Sequence, residues 1–198
     1  MIAIFRKEIN LFLSSLIGYI AIIVFFVITG LFLWIFPGPY NVFYSGFASL
    51  EGFFEFAPLV LLFLIPAVTM RSFAEEYNTG TIEIIATKPV TDWQIVFAKY
   101  FAAFVLVLIA LLPTVVYVYT ISALAVPAGD IDTGSILGSY IGLLFLGGCF
   151  ASIGVFASVL TNNQIVAFVI GIFLCFLVFF GFDEVSRLSR FTGDLDYL

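Results

Sequence analysis

The sequence predicts an all-α, polytopic membrane protein with five transmembrane helices and one polar segment between the second and the third. Three observations carry this. Hydrophobic residues make up 63% of the chain and charged residues 10%, against roughly 45–50% and 25% in soluble domains. Five apolar runs approach or exceed the length that a ~30 Å hydrocarbon core demands at ~1.5 Å per helical residue. Seven of the twenty charges then fall in one stretch, Arg71–Lys99, flanked on both sides by charge-free sequence. A single membrane domain, residues 1–198, accounts for the whole length.

Residues 1–15 place Arg6, Lys7 and Glu8 among apolar residues, and Ile4, Phe5, Glu8, Leu11 and Phe12 recur at helical spacing. This suits an amphipathic helix lying along the interface, or one that extends the first span into water. Span 1 is 16–36, with Trp34 where interfacial aromatics belong and Pro37-Gly38-Pro39 as its stop. Residues 40–55 form an aromatic outer loop or a re-entrant stretch; Glu51 and Glu55 are four apart and read as a solvated collar rather than an acid–base pair. Span 2 is 53–70, its core at 56–70. Pro58 suits a first turn, and Pro66 should kink the helix. Span 3 is 100–126, with a second kink at Pro113. Pro127–Ser135 is a turn; Asp130 and Asp132 lack the remaining ligands of a calcium loop. Span 4 is 136–160, where Gly147, Ala151, Gly154 and Ser158 share one face and Gly138 and Gly142 form a second small pair. Such residues let helices approach closely in lipid. Thr161–Gln164 is a minimal turn, span 5 is 165–182, and Asp183–Leu198 is polar.

Five spans put the two ends on opposite sides. With the N-terminus in the cytoplasm, Arg6, Lys7, Arg71, Lys88 and Lys99 lie inside and only Arg187 and Arg190 outside. The positive-inside rule selects that arrangement. Most of the acidic residues (Glu51, Glu55, Asp130, Asp132, Asp183, Glu184, Asp194, Asp196) are then external, which argues against nucleic acid as a partner. The expected location is multi-pass in the cell inner membrane.

Several chemistries are missing from the sequence. There is no His, so the commonest general base and metal ligand is absent. Cys149 and Cys175 sit in apolar runs and read as packed thiols. No charge lies in the apolar core of any span, where proton relays and ion paths would carry one. No G-x-x-x-x-G-K-[ST] is present, so there is no P-loop for ATP. Neither an enzyme nor a cofactor is expected, and energy for active work must come from a partner.

The polar segment 71–99 is where that partner would bind. It reads as helix, break, helix. Asn78, Thr79 and Gly80 are helix-start residues with Glu83 following. Thr81–Thr87 makes about two turns, with Ile82, Ile85 and Ala86 on one face. Pro89 ends it. Thr91 and Gln94 then have capping-box spacing, and Trp93, Val96, Phe97, Tyr100 and Phe101 lead into span 3.

Glu75–Lys99, EEYNTGTIEIIATKPVTDWQIVFAK, resembles the segment after the second span in ABC-2 type transporter permeases. These typically show an acidic residue, Gly-Thr, an acidic residue, a short apolar helix, Pro, a Thr or Ser cap and a Lys entering the next span. Phe12–Tyr19, FLSSLIGY, is similar to the family's opening, with Leu16 where a proline is usual. Phe63–Phe73, Leu111–Thr114, Gly138–Leu146 and Asn163–Phe168 carry a closer likeness to permeases of the gliding-motility ABC transporters of Bacteroidetes.

The resemblance implies an exporter in which two permease units form the path above two ABC ATPase subunits. The second unit would be another copy or a related permease subunit with an outer domain. It also implies a sixth span after the segment that begins at Asp183. The short helix would be the coupling helix, with Gly80, Thr81, Ile82, Glu83, Ile84, Ile85, Thr87 and Lys88 against the ATPase. A passive membrane anchor or scaffold for a cytoplasmic partner is the competing reading, because the polar segment fits it equally well.

Overall fold

A computed structural model describes residues 1–46, 48–87, 89–127, 129 and 131–194; for 17, 45, 84–86 and 182–194 it describes the backbone alone. The described residues form ten α-helices. They are α1 (Ile2–Ser14), α2 (Leu16–Trp34), α3 (Val42–Ser45), α4 (Glu51–Thr69), α5 (Arg71–Asn78), α6 (Thr81–Ala86), α7 (Asp92–Leu111), α8 (Val115–Leu124), α9 (Thr133–Val159) and α10 (Gln164–Asp194). Among the described residues, four helical stretches are long and apolar enough to cross a membrane, or five if α1 and α2 are counted as one broken span. The protein is therefore an all-α, multi-pass membrane protein, as its composition predicts. Lys88, Asp130 and Asp196, to which the sequence assigns places, lie outside the described residues.

The α1–α2 bend of 64° shows that α1 does not run straight on from the first span. Ser15 makes the elbow: its backbone is extended, and its Oγ accepts from Gly18 N–H at 3.2 Å to cap α2. The bend turns α1 onto α7; Ile4, Phe5, Glu8, Ile9, Phe12 and Leu13 are half-buried, whereas Leu11, expected on the same face, is exposed.

Span 2 begins earlier than expected. α4 starts at Glu51, so Pro58 lies two turns inside it rather than in its first turn. The helical path then runs 28 residues, Glu51–Asn78, with a single turn residue, Met70, between α4 and α5. Met70 N–H still bonds to Pro66 O at 2.9 Å, so the interruption falls four residues beyond the proline rather than at it. Glu51 and Glu55 are exposed at the start of α4, as a solvated collar requires.

The third span is continuous with its run-in helix. Thr91 and Gln94 form the capping box, with Thr91 N–H donating to Gln94 Oε1 at 3.4 Å. A 3-10 turn over Leu112–Thr114 then carries the expected break at Pro113. The Asp-x-Asp turn acts through Asp132, which caps α9 by accepting from Ser135 N–H at 3.1 Å. α10 extends its helical backbone to Asp194, past the apolar span that ends near Gly181.

α9 is the central helix, packed against α4, α7 and α10. Its small residues make this possible. A Cβ at Gly154 would lie 2.0 Å from Thr69 Oγ1, and one at Gly147 would lie 2.6 Å from Val107 Cγ1. The main small-residue face therefore packs within the chain, onto α4 and α7. Gly138 and Gly142 face open space.

Within the bundle, polar side chains are tied down locally. Tyr117 Oη donates to Phe26 O at 3.0 Å while its ring stacks on Phe26 at 5.2 Å, joining α8 to α2. Thr114 and Tyr140 hydroxyls meet at 2.9 Å, joining the 3-10 turn to α9. Without water to bond, each of these groups needs such a partner.

Candidate functional site

The α5–α6 junction is set by Gly80. Its φ of 69° is left-handed, which costs a residue with a Cβ about 1–2 kcal/mol. Gly80 N–H bonds to Tyr77 O at 3.3 Å and Thr79 N–H to Glu75 O at 2.9 Å, so the glycine ends α5 in the manner of a C-terminal cap. Asn78-Thr79-Gly80 thus stops one helix as well as preceding the next, whereas the sequence suggests only a start. Thr79 Oγ1 bonds to Glu75 O at 2.8 Å and meets Thr81 Oγ1 at 3.0 Å, which fixes where α6 begins.

α6 presents its predicted residues unevenly. Gly80, Glu83 and Thr87 are exposed, while Thr81 and Ile82 are half-buried. Ile82 packs against the protein's own core, so that part of the apolar face is already in use. The side chains of Ile84 and Ile85 and the whole of Lys88 lie outside the described residues.

Sequence reasoning did not find the ion-paired cluster that involves α5, the helix before α6. Lys99 is buried, 1% exposed, and its Nζ lies 2.9 Å from Glu8 Oε1 and 2.9 Å from Glu76 Oε2. It also donates to Ser72 O and sits 4.7 Å from the Phe73 ring centroid. Lys7 reaches Glu76 Oε1 at 2.7 Å. Arg71 pairs with Glu75 at 3.3 Å, one turn apart on α5. These residues join α1, α5 and α7 through ion pairs near the polar end of the bundle. Part of the 71–99 segment is therefore packed rather than wetted: Glu76 is only 6% exposed. The available signal was periodic. Ile95, Ala98, Lys99 and Ala102 are buried together on α7, and a lysine on a face of small apolar residues needs a carboxylate.

A family model described as ABC-2 family transporter protein matches residues 38–182, most of the chain. The chain belongs to the ABC-2 transporter family. Members are the transmembrane permease subunits of transporters and generally work with an ABC ATPase. The ABC-2 match takes in α3 to the apolar part of α10, and with them α5, α6 and Lys99; α1 and α2 lie before it. No curated protein and no solved structure matches the chain.

Proposed function

We propose that this ABC-2 permease forms half of an export path in the cell inner membrane and is driven by a separate ABC ATPase seated under α6. Gly80–Lys88 is the contact segment, with Glu83 and Lys88 supplying charge at its edge. The N-terminus and residues 71–99 face the cytoplasm. The other half of the path is a second copy or a related permease subunit with an outer domain. Within the family, the permease of the gliding-motility ABC transporter is the assignment that the sequence likeness favours.

The observation that carries this reading is the connection from α6 into the ion-paired cluster. α6 is exposed at Glu83 and Thr87, and two residues separate it from α5. Glu76 on α5 is held by Lys7 of α1 and Lys99 of α7. A force on α6 therefore meets three helices tied together by charge, including the helix that leads into span 3. Energy released outside the membrane has a mechanical route into the spans.

The test is charge reversal, Glu83→Arg, read as co-purification of the ATPase encoded beside the permease and as ATP-dependent substrate release from vesicles. Association and transport both unchanged would refute α6 as the seat. Unchanged ATPase binding with no ATP-dependent movement of cargo would favour the anchor reading. An isolated reading frame, without an adjacent ATPase and an outer-domain subunit, would count against the gliding assignment.

A further inference from the structure

Span 3 consists of two unlike halves. α7 is buried along one whole face, through Ala98, Ala102, Leu106 and Ala110, and packs on α1, α2, α4 and α9. α8 buries only Tyr117 and Ile121, one turn apart. Val115, Val116, Tyr119 and Leu124 are exposed. The half nearer the ion-paired cluster is thus fixed, and the far half is held along a single edge.

The joint between the halves lacks a backbone bond. Pro113 has no N–H to offer the Ile109 carbonyl one turn back. Val115 N–H bonds to Leu112 O, three residues back instead of four. A stretch of 3-10 winding inside a helix often marks a hinge. The Thr114 hydroxyl donates to Leu111 O at 2.6 Å and meets Tyr140 Oη at 2.9 Å. Tyr140, on α9, lies edge-on to Phe54 of α4 at 5.0 Å. The pivot is therefore pinned to α9 and α4, which also hold α7.

The tip is held by a different helix, α2. The Tyr117 ring stacks on Phe26 at 5.2 Å and meets Trp34 edge-on at 6.4 Å, and its Oη donates to Phe26 O at 3.0 Å. Gly30 makes room for it, since a Cβ there would stand 3.2 Å from Tyr117 Oη. Phe26 O also accepts from Thr29 Oγ1 at 3.2 Å. Withdrawing Tyr117 therefore leaves that carbonyl with a partner, which a backbone group in the bundle needs.

We propose that α8 is a gate leaf that swings about Leu112–Thr114, and that Tyr117, seated on α2 at Gly30, is the latch that keeps it shut. Swinging α8 away from α2 uncovers Phe26, Trp34 and Phe53, the rings that Tyr117 covers. Only the gating role rests on the export path proposed above; the hinge and its latch belong to this chain alone.

The test is hydrogen exchange, read by mass spectrometry, on the purified full chain in detergent. Tyr117→Phe keeps the ring and removes the donor. It should speed exchange over 115–125 about fivefold, the size of one lost hydrogen bond, and leave 95–111 unchanged. Gly30→Ala crowds the seat and should act in the same direction, which keeps the test readable should Tyr117→Phe not fold. Adding Pro113→Ala to Tyr117→Phe restores the N–H of the joint and should return 115–125 to the wild-type rate. Unchanged exchange over 115–125 in both single variants, equal acceleration of both halves, or no rescue by Pro113→Ala would overturn the hinge and latch. In vesicles, Pro113→Ala alone should slow ATP-dependent release while the ATPase stays bound; unchanged release would overturn the gating role. No ATPase is present in the exchange assay, so its failure leaves the docking role of α6 standing.

Discussion

Lys99→Met isolates the contribution of the buried cluster. The substitution removes the charge and keeps most of the side-chain length. The Lys99 side chain is 0% exposed and lies 2.9 Å from each of two carboxylates. Removing one partner of a buried ion pair costs about 3–5 kcal/mol, because the remaining charge is left uncompensated. Two features set this case at the low end. Glu76 keeps Lys7 at 2.7 Å, and the Glu8 side chain, 16% exposed, has a path to water. The expected loss is thus about 3 kcal/mol. At ~2–4 °C per kcal/mol for a chain of this size, the melting midpoint falls by ~6–12 °C. The assay is thermal unfolding in detergent micelles, followed by the fluorescence of Trp34 and Trp93. The double variant Glu76→Gln with Lys99→Met should lose less than the sum of the two single variants, since the residues are in direct contact. A fall under about 2 °C for Lys99→Met, or strict additivity in the double variant, refutes the claim that the cluster holds the three helices together.

Two further substitutions probe the packing and the junction. Gly154→Ala puts a methyl group 2.0 Å from Thr69 Oγ1 and should cost about 1–3 kcal/mol by overpacking. Thr69→Ala should restore part of that loss, and Gly142→Ala, with nothing within 4 Å, should be neutral in the same melt. Gly80→Ala should cost about 1–2 kcal/mol for its left-handed backbone. Gly80→Asn should cost less, because Asn tolerates that conformation, and the difference should appear as faster hydrogen exchange confined to 75–87.

The spans were legible because each depends on local composition: length, absence of charge, and proline or glycine at the ends. The Thr91 capping box and the break at Pro113 were legible for the same reason. The start of α4 was not. Pro58 is compatible with a first turn by local rules, and only the packed structure shows two further turns before it, beginning at Glu51. The Gly154 face was visible as a pattern, but the helices it would meet were not, because α4 and α7 are distant in sequence. The ion-paired cluster was hidden more deeply. Glu8 and Lys99 are 91 positions apart, and each looks like an ordinary interfacial charge until the 64° bend after α1 brings them together. In the polar segment, hydrophilic composition suggested exposure throughout. The structure divides it into an exposed tip around Glu83 and a packed stem at Glu76 and Lys99.

The role of α6 is tested most directly by measuring ATPase co-purification for Glu83→Arg beside Glu55→Arg. Both glutamates are exposed, but Glu55 stands at the start of α4 and Glu83 on the tip that follows α5. The predicted result is loss of the ATPase from the Glu83 variant and full retention by the Glu55 variant, with both permeases folded. Full retention by both variants, or equal loss from both, would contradict a docking site at α6.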